Sequence, residues 1–75
     1  MYFKRLKDLR EDNDLSQNDI SKILKITRPQ YSLYETGKRD MPVDLLRILA
    51  RYYNTSIDYL VGDTNISKRY PETKK

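Results

Sequence analysis

The sequence predicts an all-α domain of five short helices, and two observations support this fold class. The chain has 75 residues, enough for one domain and near the lower limit for folding on one apolar core. Apolar residues recur at spacings of three and four between residues 3 and 61, which is the period of amphipathic helices. Helices rather than sheets are therefore expected to build the core.

The amino-acid composition limits the classes of function and of partner that are expected for this chain. The chain has no cysteine, so it has no disulfide and no thiolate metal site, and neither a metal nor a cofactor nor a small-molecule ligand is expected. With no signal peptide and no apolar run of membrane-spanning length, a cytoplasmic protein with no membrane partner is expected. A net charge of +4 and a pI near 9.4 suit a polyanionic partner, although many surfaces of that charge bind nothing.

The first helix is predicted over Met1–Asn13. One side of it carries residues spaced by three and four, namely Phe3, Leu6, Leu9 and Arg10. Asn13 and Asp14 tolerate the left-handed conformation that ends a helix, so the chain is expected to turn there.

Residues 16–37 predict two short helices separated by a tight turn, which is the helix-turn-helix arrangement. Ser16 can cap the second helix, and Asp19 places a carboxylate in its positive first turn. Lys25 and Ile26 carry the bend. Thr27 offers the next N-cap, so the third helix is predicted to begin at the following residue. The inward residues of the second helix are Ile20, Ile23 and Leu24.

The third helix has one face that packs and one that is free. At 100° per residue the packed face contains Thr27, Tyr31 and Tyr34, with Glu35 at its edge. An ordinary surface helix carries Lys and Glu on its free face, whereas this one carries Pro29, Ser32, Leu33 and Thr36. Small and apolar groups suit base edges and thymine methyls, and cations suit phosphates. The cations available here are Arg28, Lys38 and Arg39.

The fourth helix is predicted over Val43–Tyr53, behind Pro42. Its main apolar stripe consists of Val43, Leu46, Leu49, Ala50 and Tyr53. A second stripe of Leu45, Ile48 and Tyr52 has two interpretations: it is covered by the fifth or the first helix, or it is a dimer face.

The fifth helix is expected to begin after Ser56 and to end at Gly62. Ile57, Leu60 and Val61 return to the core. Residues 1–62 then form the domain. Residues 63–75 hold four of the fifteen cations and only Ile66 and Tyr70 as large apolar groups, so they predict a basic, flexible C-terminal tail.

Three sequence marks together resemble a known family. They are Leu15-Ser16-Gln17, the exit Tyr34-Glu35-x-Gly37-Lys38-Arg39, and Ser56-Ile57-Asp58-Tyr59-Leu60 with Gly62 two residues on. Residues 3–62 resemble the Cro and cI-type, XRE-like helix-turn-helix domains of phage and bacterial repressors. The resemblance implies a five-helix, lambda-repressor-like DNA-binding fold with the helix-turn-helix at helices two and three, and with the third helix in the major groove of double-stranded DNA.

The resemblance also implies roles for particular residues. The expected base-reading residues are Thr27, Arg28, Pro29, Ser32 and Leu33, with Gln30 at the flank, able to reach a base or a phosphate. The expected phosphate-binding residues are Gln17, Thr36, Lys38 and Arg39, whereas Lys4, Lys7 and Lys22 are interpreted as solvated helix faces. Arg10 and Glu35 are expected to form a structural salt bridge.

The chain departs from the family at Lys25 and Asp14, where glycine is common, and at Pro29 and Leu33, where polar residues are common. We therefore expect Arg28 to make most of the direct hydrogen bonds to base edges.

Enzymatic activity is not expected, because the chain lacks histidine and cysteine, has only two glycines and shows no carboxylate pair spaced to form a cleft. The expected function is that of a sequence-specific transcription regulator, most simply a repressor, acting as a weak homodimer on a palindromic operator. Two alternatives remain open. One is an antitoxin-type regulator of a toxin pair, and the other is a protein-interaction module on the same fold.

Overall fold

The computed structural model describes residues 2–68, which contain five helices and no strand. The helices are α1 (Lys4–Asp12), α2 (Gln17–Leu24), α3 (Arg28–Glu35), α4 (Val43–Tyr52) and α5 (Ile57–Val61). The predicted all-α fold class is confirmed. None of the helices in this described part has the length and apolar character that a membrane span requires.

The helix starts follow the capping residues closely, except in α1. Ser16, Thr27 and Ser56 are the N-caps of α2, α3 and α5, and the side chain of each accepts a hydrogen bond from the backbone amide three residues on. The first helix was predicted from Met1 but begins at Lys4, because Phe3 has extended backbone geometry and offers no side-chain cap. In the turn that follows, Asp14 is left-handed with φ +56°, whereas Asn13 is not.

The core lies where the five helices meet. Its buried side chains are Leu6, Ile20, Leu24, Tyr31, Met41, Leu46, Leu49, Ala50 and Leu60. Five of these are almost fully enclosed: Tyr31, Leu6, Ile20, Leu49 and Leu60. Every helix contributes at least one buried residue, and this shared contribution explains how so short a chain encloses a continuous apolar cluster.

The fourth helix differs from its predicted pattern at its first residue. Val43 was assigned to the main apolar stripe but is 58% exposed, since it starts the helix one turn before the first buried residue, Leu46. Met41, from the preceding loop, is buried in the core. In the second stripe, Leu45 is partly buried against the core, whereas Ile48 and Tyr52 remain 39% and 48% exposed.

The segment after α5 is attached to the domain over its described part. The Arg5 guanidinium donates to the carbonyl of Tyr59 at 2.8 Å, to the carbonyl of Thr64, and to Asn65 Oδ1 at 2.7 Å. Arg5 also lies over the Tyr59 ring, 4.0 Å from its centroid. A free tail from residue 63 is therefore not what the structure shows at Thr64 and Asn65.

A second contact holds the same segment. The hydroxyl of Thr55, which is buried in the turn before α5, donates to the carbonyl of Ser67 at 2.5 Å. The prediction of a free tail rested on the number of apolar groups, which does not indicate polar attachment of this kind. Tyr70 and the other residues of 69–75 lie outside the described part of the chain.

Candidate nucleic-acid interface

The start of α2 is fixed by a reciprocal pair of hydrogen bonds. The Asp19 amide donates to Ser16 Oγ at 3.0 Å, and the Ser16 amide donates to Asp19 Oδ2 at 2.9 Å, which forms a capping box. The hydrogen bond from the Ser16 amide lowers the pKa of Asp19. The carboxylate is thus kept charged at the positive end of the helix.

The turn between α2 and α3 depends on a left-handed residue and a small buried one. Lys25 has φ +57°, a conformation that glycine adopts with less strain. The Ile26 amide donates to the Ser21 carbonyl at 3.0 Å, which closes the turn. Ser21 is buried, and its hydroxyl donates back to the Asn18 carbonyl at 2.7 Å. The two helices are therefore held in a short, defined connection.

The start of α3 repeats the capping box. The Gln30 amide donates to Thr27 Oγ1 at 3.3 Å, and the Thr27 amide donates to Gln30 Oε1 at 3.0 Å. Pro29 occupies the first turn, where a missing N–H breaks no helical bond. The capping role of Gln30 was missed in the sequence, although the spacing Thr-x-x-Gln is its signal.

The predicted base-reading residues lie at the start of α3 and on its second turn. Thr27, Arg28, Pro29 and Gln30 are all exposed at its start. Ser32 and Leu33 follow on the next turn and are partly buried. The structure therefore places all six candidates on the first two turns of a single helix.

The end of α3 leads into an exposed cationic loop. The Thr36 hydroxyl donates to the Ser32 carbonyl at 2.7 Å, so its proton is used within the helix. Gly37 has φ +78°, and a Cβ added there would fall 2.8 Å from the Cα of Tyr2. Glycine is thus required both by the backbone angle and by the close passage of the N-terminal segment. Lys38 and Arg39 follow and are exposed.

Arg10 and Glu35 form a two-point ion pair beneath this surface. Arg10 Nε donates to Glu35 Oε2 at 2.9 Å and Nη2 donates to Oε1 at 3.0 Å, while Nη1 donates to the Leu15 carbonyl at 2.8 Å. Gln17 Nε2 also donates to Glu35 Oε1, at 3.5 Å. One carboxylate therefore ties α1, the start of α2 and the end of α3 together.

The ion pair sets the charge state of both partners. Burial raises the pKa of Glu35, but the hydrogen bonds and charge of Arg10, with further donors around it, outweigh burial and leave that pKa below its ordinary value. The hydrogen bond to Glu35 raises the pKa of Arg10. Both groups are charged in the folded protein near neutral pH.

Two tyrosine hydroxyls lie inside the core. The hydroxyls of Tyr31 and Tyr53 are buried and have no hydrogen bond of ordinary geometry among the described residues. Burial raises the pKa of both hydroxyls; Glu35 raises the pKa of Tyr31 further, and the neighbouring Tyr52 raises that of Tyr53. Tyr31 belongs to the buried core cluster and Tyr53 packs against it, so both hydroxyls are enclosed with their rings.

An open hollow of about 420 Å³ lies beside the predicted phosphate-binding residues. Tyr2, Lys7, Gln17 and Thr36 line it, together with the Arg10–Glu35 pair. The sequence assigned Lys7 to a solvated face and gave Tyr2 no role. Only the way α1 crosses the helix pair brings these two residues beside Gln17, so no local pattern indicated it.

Comparison with known proteins agrees with this geometry. The family described as helix-turn-helix matches residues 6–60. The HTH-type transcriptional regulator ImmR of Bacillus subtilis is 38% identical over 66 residues, which are 88% of this chain and 52% of ImmR. The cryptic phage CTXphi transcriptional repressor RstR of Vibrio cholerae is 30% identical over 71 residues, which are 92% of this chain and 64% of RstR.

A third relative is named for a different role. Antitoxin PezA of Streptococcus pneumoniae is 33% identical over 63 residues, which are 84% of this chain and 40% of PezA. The chain spans about half to two thirds of the length of the transcriptional-regulator relatives that it matches. No solved structure gave a significant match. The helix pair, its caps and the match over residues 6–60 lead to one conclusion: the chain belongs to the XRE-like helix-turn-helix family.

Proposed function

We propose that this protein is a sequence-specific double-stranded DNA-binding regulator of transcription, acting as a repressor and as a homodimer on a palindromic operator. The observation that carries the proposal is the exposed start of α3, where Thr27, Arg28, Pro29 and Gln30 are all exposed. The names of ImmR and RstR, a transcriptional regulator and a transcriptional repressor, support the same function.

The dimensions of α3 suit the major groove. Its 8 residues make a helix about 12 Å long, comparable with a groove about 12 Å wide. Arg28 at its head can donate two parallel hydrogen bonds to guanine O6 and N7. Leu33 and Pro29 provide apolar contact for thymine methyls. The surface therefore combines Arg28, which can form two hydrogen bonds to a base, with Leu33 and Pro29, which can make apolar contacts with bases.

Phosphate contacts would hold this helix in place. Lys38 and Arg39 lie directly past the end of α3 and are exposed. Gln17 begins α2, where the first backbone amides have no acceptor within the helix, so this end suits a phosphate even though the Gln17 side chain faces Glu35. Thr36 would contact a phosphate through a bridging water, because its proton is already donated to the Ser32 carbonyl and a phosphate oxygen only accepts.

Dimerisation would use the exposed part of α4. Ile48 and Tyr52 remain substantially exposed, and Leu45 lies partly buried beside them. A two-fold dimer would place two copies of α3 on half-sites about one helical turn, roughly 34 Å, apart. Sedimentation of wild type and of Ile48→Glu tests this. A protein that is monomeric at all concentrations, with the variant binding DNA as tightly as wild type, would contradict it.

Selection of bound sequences from a random duplex pool tests the main proposal. We expect an enriched palindrome.

Arg28→Ala should lose about 1 to 3 kcal/mol of binding free energy on that site and relax the base preference at one base pair per half-site, with little change on random duplex. Lys38→Ala, the matched control, should weaken all sequences alike and lower the salt slope by about one unit for each phosphate that is no longer neutralised. Failure to enrich any sequence at low salt would favour the protein-interaction module.

The similarity to antitoxin PezA favours one second candidate, a regulator that also neutralises a toxin. On that proposal the chain supplies the DNA-binding part of an antitoxin. Expression of the genes adjacent to this one, with and without it, distinguishes the two. Growth arrest that is relieved only when this protein is present would support the antitoxin, and growth unaffected by the neighbouring genes would exclude it.

A further inference from the structure

Gln30 is both a helix cap and an exposed side chain on the proposed DNA surface. Its Oε1 accepts from the Thr27 amide at 3.0 Å, while its own amide donates to Thr27 Oγ1 at 3.3 Å. The orientation of the side-chain amide follows from this chemistry. A backbone N–H can only donate, so the atom facing it must be the oxygen and the other end must be Nε2.

The capping box therefore determines which chemical group Gln30 presents outward. With Oε1 turned back to the helix start, the two hydrogens of Nε2 are at the outer end of the side chain. A free glutamine can turn both amide atoms to adenine and pair with N6 and N7 together. The cap uses one lone pair of Oε1 and holds that oxygen toward the helix start, so the atom left to face outward is Nε2, a hydrogen-bond donor.

The residues next to Gln30 also present hydrogen-bond donors rather than acceptors. Thr27 accepts from the Gln30 amide, which leaves its hydroxyl proton free to donate. Arg28 has donors only, and Pro29 has neither an N–H nor a polar side chain. The first turn of α3 thus offers donors and an apolar ring to whatever it meets.

We propose that Gln30 is a specificity-determining residue that reads a major-groove acceptor through Nε2, and that its capping bond to Thr27 disfavours adenine as the base it contacts. This rests on the proposed DNA-binding function. Guanine presents two adjacent acceptors, O6 and N7, and thymine presents O4. Adenine places the N6 donor beside N7, which opposes an approaching donor. The preferred base at this position is therefore guanine or thymine.

The variant Gln30→Glu separates the capping role of this side chain from its contact with a base. A glutamate at this position keeps the capping acceptor and suits the positive helix start, but it has no donor. We expect its melting temperature to match wild type. In selection from a random duplex pool, we expect it to lose about tenfold of the preference for guanine or thymine at one base pair per half-site. Preference there should move toward a base that donates, cytosine or adenine.

Gln30→Met is the matched uncharged control, because it removes donor and cap together. We expect a lower melting temperature and the same loss of preference at that base pair, without a move toward cytosine or adenine. The added charge of the glutamate variant acts on all sequences alike, so it changes affinity but not the selected base.

Two results would overturn the inference. One is selection by Gln30→Glu of the same base as wild type at every position, which would make Gln30 a cap alone. The other is loss of an adenine preference in both variants, which would mean that Gln30 reads with both amide atoms. Failure of wild type to enrich any sequence is a different result, and it counts against the proposed function itself.

Discussion

The two helices of the helix-turn-helix begin differently from the two longest helices that support them. Both α2 and α3 start with a reciprocal capping box, Ser16 with Asp19 and Thr27 with Gln30. By contrast, α1 and α4 start at Phe3 and Pro42 without any side-chain cap. The starts of α2 and α3 are thus fixed by reciprocal bonds between residues three apart, whereas the starts of α1 and α4 depend on packing. Local chemistry defines the surface, and the supporting helices hold it in place.

Two arginines on α1 extend this comparison. Arg10 pairs with a carboxylate and joins α1 to the helix-turn-helix. Among the described residues, Arg5 donates to neutral acceptors on α5 and the following segment and lies over the Tyr59 ring. Glu35 is buried and its partner Arg10 is partly buried, whereas the Arg5 contacts extend to the exposed Asn65, so removal of the two contacts should have unequal costs.

The largest effect is expected at the ion pair. Glu35→Ala leaves the Arg10 guanidinium buried without a countercharge and should lower the free energy of unfolding by about 3 kcal/mol. Thermal melts of Glu35→Ala, Arg10→Met and the double variant measure the coupling. Additive losses across this cycle would show that the two side chains do not interact energetically.

Acid should weaken the same pair by a smaller amount. Glu35 has a folded-state pKa below its ordinary 4.5, so the unfolded chain binds its proton more readily than the folded one. The stability it contributes is present above pH 4.5 and is lost as pH falls through the lower folded-state value. Urea melts between about pH 6 and pH 2 measure this. Glu35→Gln is the control, and a parallel decline in that variant would assign the loss to other carboxylates.

Removal of the Arg5 side chain should have the next largest effect. Arg5→Ala removes the bonds to α5 and to residues 64 and 65 together with the ring contact, and should cost about 2 kcal/mol. Amide exchange at residues 64–68 should speed up at the same time. Lys4→Ala, on the exposed neighbouring position, is the control and should change neither. Unchanged exchange in Arg5→Ala would mean that other contacts hold this segment.

The capping boxes should each contribute less. Ser16→Ala and Thr27→Ala should each destabilise the domain by about 1 kcal/mol, because one amide in each helix start loses its acceptor. Ser32→Ala, within α3, is the comparison and should stay within about 0.5 kcal/mol of wild type. Chemical denaturation measures all three. Equal effects at Ser32 and Thr27 would show that the loss of stability in Thr27→Ala does not come from its capping bond.

The smallest effect has the opposite sign. Lys25 is left-handed at φ +57°, so Lys25→Gly should relieve strain and stabilise the domain by about 0.5 to 1 kcal/mol, measured by chemical denaturation. Lys22→Gly, inside α2, should destabilise it by about 1 kcal/mol. A lower stability in both variants would indicate that the flexibility of the unfolded chain outweighs the strain at Lys25.

Much of this architecture is readable from neighbouring residues. A cap joins residues three apart and a left-handed turn needs only its own backbone, so Ser16, Thr27 and Ser56 predicted the starts of three helices. Apolar spacing likewise identified Leu6, Ile20, Leu24, Leu46 and Leu49 as core residues. The exposure of Pro29 on the free face of α3 and the burial of Tyr31 on its packed face follow from the same kind of local rule, since a helix repeats every 3.6 residues. The Gln30 cap has the same kind of local signal, the spacing Thr-x-x-Gln.

Contacts between distant parts of the chain required the folded structure. The Arg10–Glu35 pair was expected only through the resemblance to a family, and the Arg5 contacts and the Thr55–Ser67 bond were not expected at all. Periodicity assigns a residue to a face but does not say how far the neighbouring helix extends over it. That extent leaves Val43 exposed, buries Met41 and encloses the tyrosine hydroxyls. The crossing of the helices, set by the packing of all five together, also brings Tyr2 and Lys7 beside Gln17 and Thr36.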